Sequence, residues 1–182
     1  MQKQVMPRIL FLGLLFFTLT ACSLFRPLLM PENTLLLLSP AEGPKAGLMK
    51  QKVTVIQDKQ PQSFIALSRF TTLDFRVAVI TPTGQTLLKM NYDGNHFQAT
   101  NLTDMTLPLE EVMSVMQFAL WPEKTVHKYY NERLNWQVEL TTNYRRLYKG
   151  NTLILDVRMS DDNVDIHHKQ HHYRVMISPL QS

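Results

Sequence analysis

One cysteine is the whole thiol inventory of this 182-residue chain. A single thiol cannot form an internal disulfide, a CxxC redox pair or a cysteine-rich zinc site. No GxSxG elbow, P-loop, GxGxxG fingerprint or HExxH helix occurs, so the common hydrolase, nucleotide and zinc-protease signatures are missing too. Charged residues make up only 19% against 45% hydrophobic, a globular balance and not a disordered one. The longest apolar run, Ile9 to Ala21, has thirteen residues. That is short of the roughly 20 residues that a bilayer-spanning helix needs. No internal repeat or low-complexity tract is visible. What remains is one domain's worth of chain.

That apolar run reads as an address. Lys3 and Arg8 precede it as a cationic flank, and it ends in Leu19-Thr20-Ala21-Cys22. The tetrapeptide resembles the bacterial lipobox, in which small residues fit the peptidase cleft and the thiol accepts a diacylglycerol before cleavage. Residues 1–21 are therefore expected to be a lipoprotein signal peptide and residues 22–33, with Pro27 and Pro31, a lipidated tether. A single domain over 34–182 follows. The mature chain, Cys22–Ser182, has 161 residues, and loss of Lys3 and Arg8 lowers the net charge from +4 to +2. So small an excess gives no ground for a nucleic-acid partner. Two or three acyl chains, at about 0.8 kcal/mol per buried CH₂, make a firm membrane anchor. Ser23 stands where an aspartate would resemble the inner-membrane retention signal, so the resemblance implies the bacterial outer membrane, periplasmic face. No cofactor is expected beyond the diacylglycerol and acyl group on Cys22.

From about Thr34 the apolar period is mostly two. Phe64, Ala66, Ser68 and Phe70 share one face, and Leu73, Phe75, Val77 and Val79 another. Leu134, Trp136, Val138 and Leu140 alternate with polar residues, as do Leu153, Leu155 and Val157, then Tyr173, Val175 and Ile177. Turn chemistry separates them at Pro82-Thr83-Gly84, Asp93-Gly94-Asn95 and Lys149-Gly150-Asn151. About nine short strands predict a mainly β fold: an antiparallel, strongly curved sheet or barrel. One segment departs from this period. Leu109, Val112, Met113, Met116 and Leu120 fall at helical spacing, with Pro108 in the first turn, Glu110 and Glu111 at the positive end, and Trp121-Pro122 as the stop. A lone amphipathic helix in such a chain must bury its stripe against the sheet as a cap.

Several short runs together resemble one known family. They are Ile80-Thr81-Pro82-Thr83-Gly84, Leu87 to Gly94, the helix ending in Trp121-Pro122, Asn135-Trp136 and Arg146 to Gly150. The family is the outer-membrane lipoproteins of unassigned function associated with aryl-polyene (flexirubin-like) pigment pathways, themselves similar to LolB and LolA. The resemblance implies an unclosed β-barrel capped by a helix, around an apolar cavity that takes acyl chains. LolB-type receptors carry an exposed leucine in an Asn-Pro-Leu-Gly loop, and here Thr83 stands in that place. A threonine exposes too little apolar surface to enter a bilayer usefully. The cavity is therefore carried over, and the lipoprotein-inserting step is not.

An acyl-chain site needs adaptable apolar walls. Met113 and Met116 on the helix stripe, with Phe64, Phe70, Phe75 and Trp136 at inward strand positions, are the candidate cavity residues; the same residues would equally suit a packed core. The histidine-rich run His167-His168-Lys169-Gln170-His171-His172 is the other conspicuous feature. A two-residue turn at Lys169-Gln170 would pair His167 with His172 on one face, beside Asp165, and His168 with His171 on the other. Lys-Gln is a poor turn of that type, so no metal is expected, His167 and His172 being the weak candidates. Asp161-Asp162-Asn163 reads as a turn and not as an acid–base pair, Arg145 and Arg146 read as rim residues, and no enzyme is expected. The expected function is a lipid-anchored, periplasm-facing protein that accepts an apolar or lipid-linked molecule, such as an aryl-polyene lipid, and aids its transfer to the outer membrane. The alternative is a non-enzymatic accessory or assembly lipoprotein partnering an export machine.

Overall fold

The computed structural model describes residues 34–57, 59–103 and 107–180. Expectations for the signal peptide, Cys22 and the tether over 22–33 fall outside the described residues. A compact unit begins at Leu35. Its strands are β1 (Gly47–Gln57), β2 (Gln60–Phe70), β3 (Phe75–Ile80), β4 (Thr86–Tyr92) and β5 (Phe97–Asn101), then β6 (Trp136–Leu140), β7 (Tyr144–Lys149), β8 (Thr152–Ser160), β9 (Asn163–His168) and β10 (Tyr173–Pro179). Between β5 and β6 lie helices α1 (Leu109–Leu120) and α2 (Glu123–Tyr129).

All ten strands form one antiparallel sheet in the order β5-β4-β3-β2-β1-β10-β9-β8-β7-β6. The first and last strands, β1 and β10, meet at its centre, with Val53 opposite Ile177. The sheet curls and stays unclosed, with β5 and β6 as its edges. Period-two alternation puts Phe70, Phe75, Val77, Met90, Val157 and Ile166 into one buried cluster with α1 and α2. The other face carries a cross-strand ladder of charge. Arg146 contacts Glu139 and Asp156, Arg158 contacts Asp156, and Arg174 grips Asp165 through two bonds of 2.6 and 2.7 Å. No helix among the described residues is long and apolar enough to cross a membrane.

The mainly β, antiparallel, strongly curved and unclosed architecture expected from the sequence is the one observed. Its details differ in four places. The cap has two helices, because Pro122 both ends α1 and stands at the N-cap of α2, whose buried side chains are Thr125 and Val126. Pro108 is the N-cap of α1 and not part of its first turn. Leu134 lies outside β6, half exposed in a 3₁₀ turn over Glu132–Leu134. That turn is capped by the Asn131 side chain and closed by Asn135 in the left-handed region at φ 58°. Finally, a bulge opposite Leu147 and Tyr148 breaks the Leu153, Leu155, Val157 alternation and buries Ile154 beside Leu155.

Candidate functional site

The helical layer and the sheet meet in two aromatic nests. Phe70 and Phe75, opposite each other on β2 and β3, stack at 4.9 Å, and the Trp121 indole stands edge-on to both. Farther along the layer Phe118, Tyr130 and Trp136 form a perpendicular series with centroids 5.7 and 5.3 Å apart. Of the candidate cavity residues, Phe70, Phe75, Met113 and Trp136 are buried, while Phe64 and Met116 are partly exposed. The structure thus brings Phe70 and Phe75 together, puts Trp136 in the second nest and sets Met113 and Met116 on α1 against the same core.

Sequence reasoning missed what holds α1 in place. Residues 35–39 run as an extended strap along the helices, secured by side chains that act as a strand would. Buried Gln117 accepts from the Leu38 N–H at 2.7 Å and donates to the Leu38 carbonyl at 2.8 Å. The Tyr130 hydroxyl does the same for Leu36, at 2.9 and 3.0 Å, and the Trp121 Nε1–H donates to Ser39 O. Burial pushes the Tyr130 phenol up, so it stays a neutral donor. Gly43 follows the strap, and a Cβ there would lie 3.1 Å from the Trp121 ring. A polar Gln117 four residues after Met113 on an apolar stripe was the available signal.

Both ends of α1 are also tied to the sheet. At its C-terminus the Arg145 guanidinium donates to the carbonyls of Phe118 and Trp121 at 3.0 and 2.6 Å, satisfying groups that a helix end leaves open. Burial lowers the Arg145 pKa from the arginine range. This corrects the rim reading: β7 alternation turns Arg145 inward to the helix, while Arg146 points outward into the charge ladder.

At the N-terminal end Glu111 meets the β9–β10 turn. That turn has four residues, because the ladder closes at His168 opposite Tyr173 and His172 takes a left-handed φ of 54°. His167 therefore faces Arg174 across the strands, with Asp165 3.4 Å away on its own strand, and the expected His167–His172 pair does not form. The other pair converges. His168 and His171 stack at 4.5 Å, and Glu111 Oε1 lies 3.3 Å from His168 Nε2 and 2.8 Å from His171 Nδ1. Burial, helped by His171, pushes His168 down to about 4, so its ring is neutral at physiological pH. Tyr173, tilted against His168, is raised by burial and by Glu111.

Two concave surfaces stand out, and most of the residues lining them are polar or charged. One groove of about 590 Å³ lies on the outer face beside Tyr144, Arg146, Arg158 and Asp161; a smaller one of about 320 Å³ borders the β9–β10 turn.

These features define a class: a curled, unclosed antiparallel sheet whose inner face is covered by a short helical layer strapped down by the N-terminal segment. The family model described as a protein of unknown function (DUF3261) matches residues 48–181, and the chain belongs to that family. A search of curated proteins returns no match.

Proposed function

We propose that this is a lipid-anchored, periplasm-facing binding protein of the bacterial outer membrane. It accepts an apolar or lipid-linked molecule between the helical layer and the sheet and aids its transfer to the outer membrane. The reading is non-catalytic, with no cofactor beyond the lipid on Cys22. An aryl-polyene lipid is the specific candidate, through the resemblance to pigment-associated lipoproteins and to LolB and LolA. The observation that carries the reading is how α1 is mounted. It covers the inner face of an open sheet, presents Met113 and Met116 to it, and is fixed by side-chain ties at its two ends and along the strap. Release of the end ties lets α1 and the strap move as one body, exposing the apolar inner face to an acyl chain.

Uptake is measured with a fluorescent fatty acid on protein stripped of bound lipid. Wild type should bind it saturably, and Met116→Trp, which enlarges a partly exposed side chain in the layer, should weaken binding tenfold or more without loss of fold. Saturable binding that is equal in both proteins would place the ligand elsewhere, and no binding would remove the reading. The anchor is tested separately. Cys22→Ala should move the protein from the outer-membrane fraction to an uncleaved or soluble form; unchanged fractionation would refute it.

The two aromatic nests favour a second reading, an accessory or assembly lipoprotein with a filled core that docks to an export machine. Its signature would be a stable protein crosslink together with the absence of any bound lipid.

A further inference from the structure

The first turn of α1 meets the β9–β10 turn through side chains that the lipid-binding reading uses only as a mechanical tie. One donor atom each from Glu111, His168 and His171 lies within 4.8 Å of the other two. Donors sharing one zinc ion, at about 2.0–2.2 Å each, sit roughly 3–3.5 Å apart. The Glu111–His168 and Glu111–His171 separations of 3.3 and 2.8 Å are already close to that. A second observation points the same way. The His168 side chain is only 2% exposed, and its Nε2 faces Glu111 without making a hydrogen bond. Buried polar atoms without partners are costly and uncommon. Two imidazoles and one carboxylate suit borderline cations of the zinc kind better than magnesium or calcium, which prefer all-oxygen cages.

We propose that Glu111, His168 and His171 bind a divalent transition-metal ion of the zinc type, which clamps the first turn of α1 to the β9–β10 turn. Loading requires two adjustments within the chain. A metal lies near the plane of each imidazole it binds, whereas the two rings are stacked with planes 11° apart. His171, 43% exposed on its four-residue turn, rotates out of the stack while Glu111 and His168 hold position. His168 Nδ1 accepts the His171 backbone N–H at 3.2 Å, which leaves the ring proton on Nε2. As the turn shifts and that N–H withdraws, the proton passes to Nδ1 and Nε2 takes the metal. The three ligands leave a fourth position for water.

The test is calorimetric titration of zinc into the full chain carrying Cys22→Ala, so that the lone thiol cannot contribute. One ion per chain is expected, reversed by a chelator. Loss of an outer-shell partner alone costs metal sites about 10–100-fold, so Glu111→Gln and His171→Ala should each weaken binding at least tenfold. His167→Ala and His172→Ala, the neighbouring histidines outside the cluster, should change it less than twofold. Cobalt(II) should give a visible absorption band that His171→Ala abolishes. Absence of saturable one-to-one binding would overturn the site, as would binding that depends on His167 and His172 as much as on Glu111 and His171. Circular dichroism of each variant separates lost ligands from lost fold. The readout involves no lipid, so its failure leaves the carrier reading intact.

Discussion

Trp121→Ala is expected to destabilise the domain by about 3–5 kcal/mol, the range for removing a large buried aromatic. Trp121 is 1% exposed, stands edge-on to both Phe70 and Phe75, and donates to Ser39 O. Its removal opens a cavity where β2, β3, the end of α1 and the strap converge, and it leaves the Ser39 carbonyl without this donor. For a domain of this size the thermal midpoint should fall on the order of 10 °C. Trp121→Phe keeps most of the ring and loses the donor, so it should cost about 1–3 kcal/mol. Thermal melts of the two variants separate packing from hydrogen bonding. A loss below about 1 kcal/mol in Trp121→Ala would mean that the strap and the helical layer are not jointly anchored there.

Gln117→Leu is expected to be the next most damaging change, although it makes the stripe of α1 more uniformly apolar. Gln117 is fully buried, and its amide supplies both partners of Leu38. Leucine of similar size leaves that N–H and that carbonyl unpaired in the interior, at about 1–3 kcal/mol each. Met113→Leu, one turn earlier on the same buried stripe, is a volume-conserving swap and should cost less than about 1.5 kcal/mol. Hydrogen exchange at the Leu38 amide is the specific readout. It should accelerate strongly in Gln117→Leu and barely in Met113→Leu. Equal protection in both would show that the strap is held by apolar contacts from Leu35 and Leu38 alone.

The sheet was legible because its information is local. Period two and turn residues are read within ten residues, and they placed Ala66, Ser68 and Phe70 on one buried face and α1 over its observed span. Errors arose where a single residue's backbone overrode the pattern. Asn135 in a left-handed conformation delays β6 past Leu134, and His172 in the same region lengthens the β9–β10 turn from two residues to four. That change decides which histidines meet. The helix ties were illegible for another reason: Arg145 reaches carbonyls 24 and 27 residues back, Gln117 reaches across 79, and Glu111 meets His171 across 60. Period two does send Arg145 and Arg146 to opposite faces, so the inward arginine was readable. Its partner was not.

The carrier reading is tested most directly by mass spectrometry of lipid released from the wild-type protein after mild-detergent purification from the cell envelope. The account predicts a bound acyl-chain or polyene lipid in near-stoichiometric amount, enriched over the bulk membrane lipids and depleted in Met116→Trp. Protein that carries only bulk membrane lipid, in amounts unchanged by Met116→Trp, would contradict it.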